Sequence, residues 1–170
     1  MTEPGAGSDL AAIRTTAIKQ GDHYVLHGSK TFISNGQHAG LIILAAKTDP
    51  TAGAKGVSLF LVVTSLPGFS KGKKLEKIGL HSQDTSELFF DNVQLPLDAL
   101  LGEEGKGLSY AMAGLNEGRL NVGCQALGPA TIALEQTIEH AKTRVTFGQA
   151  LAEHQAIQHM IADMAMDLHA

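Results

Sequence analysis

The chain has 170 residues, 44% of them hydrophobic and 18% charged, which is the composition of a globular protein and excludes a disordered one. Its formal net charge of −4 gives no electrostatic reason to expect nucleic acid or an anionic membrane as a partner. The single cysteine, Cys124, excludes an internal disulfide and favours a reducing compartment. No membrane span is predicted, because the longest apolar run, 41–46, is too short, and the scattered histidines do not predict a metal site.

The first hundred residues have the pattern of β-structure. Gly21 and Asp22 stand between two candidate strands, which is a hairpin signal. The candidate strands, rich in apolar and β-branched residues, are 13–19, 23–33, 41–48, 56–64 and 86–95. Because only short turns separate them, we predict an antiparallel β-sandwich or barrel over residues 1–102.

The chain changes character near residue 103, and from residue 106 onward the pattern is helical. Residues 108–144 form a stretch too long for a strand, and residues 152–170 are amphipathic. In the second stretch apolar residues recur at intervals of three and four, at Ile157, Met160, Ile161, Met164 and Leu168. Two long helices cannot bury all their apolar faces alone, so we expect an incomplete helical bundle. The whole is predicted to be an α+β fragment with domains 1–102 and 103–170.

Three short stretches could bind a ligand. The first, TEPGAGSD at 2–9, is glycine-rich, and successive backbone N–H groups in such turns can form a nest for an anion. Thr2 and Ser8 add hydroxyl groups. The stretch is not a P-loop, since no Gly-Lys-Ser/Thr follows, and Leu10 replaces the third glycine of a dinucleotide fingerprint. A simple connecting loop is the alternative interpretation.

The other two stretches place aromatic residues beside polar ones. In SKTFISNG at 29–36, Phe32 could cover a flat ring and Ser34 could contact a ring nitrogen, although an ordinary strand gives the same pattern. In TRVTFGQALAEHQ at 143–155, a predicted helix–turn–helix, Arg144 could contact a phosphate. The alternative is that Arg144 stabilises a helix C-terminus and that the nearby aromatic fills a core.

Taken together, these stretches resemble the acyl-CoA dehydrogenase family of flavoenzymes. The family's Thr-Glu-Pro-Gly-Ala-Gly-Ser-Asp signature stands at 2–9, and its Lys-x-Trp/Phe-Ile-Thr/Ser-Asn-Gly element stands at 30–36. Its linker between domains matches 93–107, and its Arg-x-Thr/Gln-Phe-Gly-x-x-Leu-x-x-x-Gln element stands at 144–155. The resemblance covers the chain in family order. It implies the middle β-domain followed by the first two helices of the C-terminal helical domain.

The resemblance also implies an activity. Members bind FAD and oxidise an acyl-CoA thioester to the 2,3-enoyl-CoA: a glutamate removes the α-proton and the β-hydrogen leaves as hydride to flavin N5. We expect a homotetramer or homodimer, electron-transfer flavoprotein as the electron acceptor, and a cytoplasmic location, or the mitochondrial matrix in a eukaryote. The isolated chain is expected to be inactive. The alternatives are an acyl-CoA oxidase-like relative and a catalytically inactive fragment that binds flavin or acyl-CoA.

The resemblance assigns site residues by motif. Flavin contacts fall to Met1, Thr2, Gly7, Ser8, Phe32, Ile33 and Ser34. Contacts with the FAD of a neighbouring subunit fall to Arg144, Thr146, Phe147 and Gln155, and contacts with acyl-CoA fall to Ser8, Asn116 and Arg119.

Glu117 is a weak candidate for the catalytic base. Some members carry their base directly before the arginine, where this chain has Gly118. An offset of one residue turns a side chain by about 100° around a helix, which places Glu117 out of reach of the substrate proton. We therefore assign no catalytic base to this chain and interpret Glu117 as a surface or pocket-rim residue.

Overall fold

The computed structural model describes the whole chain, Met1–Ala170, which divides by its internal contacts into two compact units. The first unit is Met1–Ala113 and the second is Gly114–Ala170. The predicted domain boundary between residues 102 and 103 stays a prediction.

The first unit is built on a mixed sheet of seven strands. In chain order they are β1 Thr16–Gln20, β2 His23–Ser34, β3 Leu41–Lys47, β4 Val57–Val63, β5 Phe69–Lys74, β6 Thr85–Pro96 and β7 Leu100–Leu101. Their order in the sheet is β5-β6-β2-β1-β3-β4-β7. The five predicted strands are all present, and the predicted hairpin joins β1 to β2 with Gly21 at a φ of 62°.

The sheet is not wholly antiparallel. A single parallel pairing, Thr16 with Lys47, joins β1 to β3, whereas the other neighbouring strands pair antiparallel. The two halves of the sheet on either side of this joint face each other and share one apolar cluster. The ring of Tyr24 on β2 meets that of Phe60 on β4 edge-on, with centroids 4.9 Å apart. The predicted β-domain followed by helices is confirmed, with one parallel pairing as the difference.

The apolar residues inside this fold form two clusters. The main cluster consists of Ala17, Tyr24, Leu26, Leu44, Ala46, Phe60, Val62, Leu88, Phe90, Val93, Leu95 and Ala99. Leu44 and Ala46 of β3 point into it, while Ala45 between them belongs to the second cluster, as the two-residue period of a strand requires. That second cluster contains Ala6, and so it packs the N-terminal loop against the sheet.

Two helices and a short hairpin follow. Helix α1 is Gly107–Thr143, the hairpin is formed by β8 Val145–Thr146 and β9 Gln149–Ala150, and helix α2 is Gln155–His169. The predicted helical pattern is confirmed, but the expected helix–turn–helix contains this hairpin. Helix α2 has 15 residues and is not a long helix, because residues 151–153 form a separate 3-10 turn. Neither helix combines the length and apolar character needed to cross a membrane.

Candidate functional site

The N-terminal loop presents free backbone donors. Glu3 and Ala6 close a small bridge, with Glu3 N–H donating to the Ala6 carbonyl at 2.8 Å and Ala6 N–H donating back at 3.2 Å. This bridge turns the chain so that Gly7 and Ser8 are exposed. The N–H groups of Gly7 and Ser8 make none of the chain's backbone hydrogen bonds, so they are free to bind an anion.

Gly7 has no reason within this chain to be glycine. A Cβ atom added there would lie 3.9 Å from Thr2 Cγ2, which is ordinary van der Waals contact, and the residue does not have a positive φ. Neither packing nor backbone conformation therefore excludes a side chain at this position. What a side chain would exclude is the close approach of another molecule to the exposed backbone.

The end of β2 presents an aromatic ring in an unusual backbone conformation. Phe32 has a φ of 55° and is 66% exposed, although left-handed backbone is unfavourable for a bulky side chain. The pairing of β2 with β6 shifts register between Lys30 and Ile33, which is a β-bulge at Phe32. Asn35 follows with a φ of 61°. Backbone strain of this kind costs energy and persists only where the surrounding structure enforces it. Such residues cluster at ligand-binding and active sites.

A buried ion pair connects the N-terminal loop to β2. Lys30 Nζ donates to Glu3 Oε1 at 2.7 Å, and the two side chains are only 1% and 6% exposed. Lys30 Nζ also donates to the Met1 carbonyl at 3.2 Å, and Thr31 N–H donates to the Thr2 carbonyl at 3.0 Å. The structure thus brings together the loop and the strand end, two of the stretches singled out in the sequence.

The Glu3 carboxylate is satisfied from several directions. Arg14 N–H donates to Oε2 at 2.6 Å and Thr15 N–H donates to Oε1 at 3.1 Å. Burial raises the pKa of Glu3, but the hydrogen bonds from Arg14, Lys30 and Thr15 outweigh it and hold the pKa below its ordinary value. Burial also lowers the pKa of Lys30, and the bond to Glu3 opposes that change only in part.

Glu3 and Lys30 were not predicted as site residues. Both lie inside the quoted motifs, at 2–9 and 30–36. A lysine between buried positions of a strand is a signal that a buried partner exists, since lysine is almost never fully buried unpaired. The sequence does not say which carboxylate that partner is, because the two residues are 27 positions apart.

The third stretch lies in the second unit, on the hairpin between α1 and α2. Leu151 N–H donates to the Arg144 carbonyl at 2.8 Å, which closes the hairpin. Phe147 and Gly148 form its tip with φ values of 51° and 82°, and the Phe147 side chain is fully exposed. Thr146 Oγ1 lies 3.5 Å from His154 Nε2. The suggestion that Phe147 fills a core does not hold for this chain.

The residues assigned to acyl-CoA on α1 share one helix face. Asn116 and Arg119 are three positions apart, and Arg119 Nη1 donates to Asn116 Oδ1 at 3.4 Å. Glu117 between them is exposed and makes neither a side-chain hydrogen bond nor an ion pair. Nothing in this unit holds Glu117 in place as a base. Its interpretation as a surface residue stays a prediction.

The chain is similar to known proteins over nearly its whole length. The family model for the acyl-CoA dehydrogenase middle domain matches residues 1–93, and that for the C-terminal domain matches residues 105–170. An acyl-CoA dehydrogenase of Bacillus subtilis is 49% identical over 97% of this chain, which covers 44% of that protein. The crystal structure of an acyl-CoA dehydrogenase from Geobacillus kaustophilus superposes with a TM-score of 0.94 at 50% identity, over 99% of this chain and 45% of the other.

Proteins other than dehydrogenases share this fold. The crystal structure of the prolyl acyl carrier protein oxidase AnaB superposes with a TM-score of 0.95 at 34% identity, over 99% of this chain and 44% of that one. The chain spans less than half the length of the relatives named here. A β-sheet unit followed by two helices is the architecture that the two solved structures share with it. The chain belongs to the acyl-CoA dehydrogenase family.

Proposed function

We propose that this chain is part of an FAD-dependent acyl-CoA dehydrogenase that oxidises acyl-CoA to 2,3-enoyl-CoA. The observation that carries the proposal is the juxtaposition of Phe32 with the N-terminal loop. Phe32 is exposed and left-handed, and the loop beside it has free N–H groups at Gly7 and Ser8. The ring offers an apolar surface and the loop offers anion donors. FAD requires both kinds of surface, one for its isoalloxazine ring and one for its pyrophosphate.

The residues of the first unit fit this cofactor. The space beside Gly7 is open, and so the backbone can be approached closely by phosphate oxygens. Phe32 is followed by Ile33 and Ser34 at the end of β2. There an aromatic face and a hydroxyl group can contact a flat heterocycle. When bound, FAD supplies the redox chemistry by accepting the β-hydrogen of the acyl group as hydride.

The chain's own contribution is to orient the reactants. Met1, Thr2, Gly7, Ser8, Phe32, Ile33 and Ser34 hold the flavin, and Ser8, Asn116 and Arg119 bind the acyl-CoA. A fixed arrangement of this kind removes most of the entropic cost of bringing two reactants together. We place the catalytic base, a glutamate, outside this chain and assign none to Glu117.

The proposal includes partners and a compartment. Arg144, Thr146, Phe147 and Gln155 contact the FAD of a neighbouring subunit in a homotetramer or homodimer. The exposed hairpin tip supports this assignment, because Phe147 has no covering residue in its own chain. Electron-transfer flavoprotein is the proposed acceptor. The single exposed thiol, Cys124, fits a reducing compartment, the cytoplasm or the mitochondrial matrix.

Gly7 gives the sharpest test of the cofactor assignment. In the longer protein that carries this chain, Gly7→Val should remove most bound FAD and leave the fold intact, because the added side chain fills space that only a ligand needs. Gly40→Val is the matched control, since Gly40 also has open space and no positive φ. FAD content is read from absorbance and folding from circular dichroism. Normal FAD content in the Gly7→Val protein would contradict the assignment.

Substitutions of Arg119 and Glu117 test two assignments separately: the substrate-binding role of Arg119 and the absence of the catalytic base from α1. Replacing Arg119 by Met should lower turnover on acyl-CoA by about 10²-fold or more, because the bound substrate would lose the charged partner that we assign to it. Glu117→Gln should retain most activity, whereas loss of a true base costs at least about 10²-fold. Turnover is measured with an artificial electron acceptor and, separately, with oxygen. Abolished turnover in Glu117→Gln with FAD still bound would place the base on α1, and faster turnover with oxygen would favour the oxidase alternative.

A further inference from the structure

The position of Phe32 contradicts the alternation of its own strand. Along β2, Tyr24, Leu26 and Lys30 are buried, and every second residue points to the same face. Phe32 stands two positions after Lys30 and should therefore point inward as well. It is instead 66% exposed.

A bulge causes the reversal. Lys30 pairs with Leu88 and Ile33 pairs with Ser86, so three steps on β2 oppose two steps on β6. The extra residue, together with the left-handed backbone of Phe32, gives Ile33 the place in register that Phe32 would otherwise take. This conformation is unfavourable by itself and persists only where neighbouring contacts enforce it.

The contacts on the near side of the bulge converge on Lys30. Its ammonium group binds Glu3 and the Met1 carbonyl, and Glu3 is tied in turn to the N–H groups of Arg14 and Thr15. The next residue, Thr31, donates its N–H to the Thr2 carbonyl. Lys30, the last residue that pairs with β6 before the bulge, is thus fixed to the N-terminal loop. Through Glu3 it is also connected to the segment that leads into β1.

Stability alone does not explain a buried ion pair. Removing two charges from water is costly, and well-packed apolar residues in the same place are often as stabilising or more so. What an ion pair supplies and an apolar pair does not is a defined geometry, with directional hydrogen bonds that fix register.

We propose that Glu3 and Lys30 are positioning residues for the flavin. The pair holds the bulge that turns the Phe32 ring outward, and it holds the donors at Gly7 and Ser8 at a fixed place beside that ring. The inference rests on the proposed function, since it assumes that FAD binds at these two segments.

The test compares two kinds of destabilised holoenzyme. Lys30→Met removes the ion pair, and Val62→Ala, a fully buried core position on β4, serves as a control that lowers thermal stability without touching either segment. Each protein is assayed for melting temperature, FAD dissociation constant and flavin absorption spectrum. We expect Lys30→Met to raise the FAD dissociation constant about tenfold, because the bulged conformation becomes only a minor population. Its flavin absorption bands should also shift, whereas Val62→Ala should change only the melting temperature.

A second variant keeps the test usable if Lys30→Met does not fold. Glu3→Gln removes the charge and keeps one of the two acceptor oxygens, so that it can still accept from either the Arg14 or the Thr15 N–H group, and it should show the same spectral shift with a smaller change in affinity. The inference is overturned if the folded variants bind FAD within about twofold of the unsubstituted protein and show its spectrum, since tenfold is the change that the population argument requires. Absence of FAD binding by the unsubstituted protein would overturn the proposed function and this inference together.

Discussion

The two compact units differ in what their apolar side chains contact. In Met1–Ala113, five strands contribute to a closed core in which Phe60 and Val62 are fully buried. In Gly114–Ala170 only Ala141 is buried. The exposed large apolar residues of this second unit include Leu120, Val122, Leu127, Ile132, Met160, Met164 and Met166. The two halves of the sheet pack against each other and so bury one face of each. An amphipathic helix, in contrast, needs another surface to bury its apolar stripe.

This difference predicts very unequal costs for the same kind of substitution. Phe60→Ala should lower the free energy of unfolding of the first unit by about 4 kcal/mol, through a cavity and the loss of its contact with Tyr24. Leu127→Ala should change stability by less than about 0.5 kcal/mol, because Leu127 is exposed and alanine favours helix. Urea unfolding, with amide hydrogen exchange to distinguish the units, measures both. Equal losses would show that Leu127 is packed and would break the comparison.

The second prediction concerns the loss of stability at acid pH. It distinguishes the units because buried carboxylates occur only in the first unit. The pKa of Glu3 is lowered from 4.5 in the folded state, so its stabilising contribution is complete above pH 4.5 and is lost as the pH falls through the folded pKa. Protonated Glu3 leaves Lys30 buried without a charged partner, and breaking such a pair costs about 3 kcal/mol. Hydrogen exchange of the sheet amides between pH 6 and pH 3 should therefore report a selective loss in the first unit.

The control for the acid experiment is Glu3→Gln. This variant should be less stable at pH 6 and should show a flatter dependence of stability on pH, because the titrating group is gone. An unchanged pH profile in Glu3→Gln would assign the acid sensitivity to other carboxylates.

The third prediction concerns a feature that the two units share. Phe32 and Phe147 are both exposed and both left-handed, with φ values of 55° and 51°. Glycine adopts this backbone without steric cost. Phe32→Gly and Phe147→Gly should therefore each raise the free energy of unfolding by about 1 kcal/mol. Phe89→Gly, at an exposed strand position without positive φ, should instead lose about 1 kcal/mol. Thermal unfolding decides, and a loss in all three would mean that the left-handed residues are not strained.

Local signals in the sequence were sufficient for much of the fold. Alternating and continuous apolar runs predicted β1, β2, β3, β4 and β6, and the glycine at position 21 predicted the first hairpin. Strand β5 was missed because Lys71, Lys73 and Lys74 make it polar, as suits the edge of a sheet. The change to helix was predicted near residue 106 and occurs at Gly107, since a 3.6-residue period is a property of the segment itself.

The sequence by itself determined the family motifs, the strands and the helices, because each of these depends on residues close together in the chain. The tertiary structure decided which way Phe32 points, since the strand's period predicts the opposite face and only the register with β6 places a bulge there. It also decided that Lys30 is paired with Glu3, and that β1 meets β3 in parallel. These features join segments far apart in sequence, and their energies depend on burial and register, which exist only once the chain has folded.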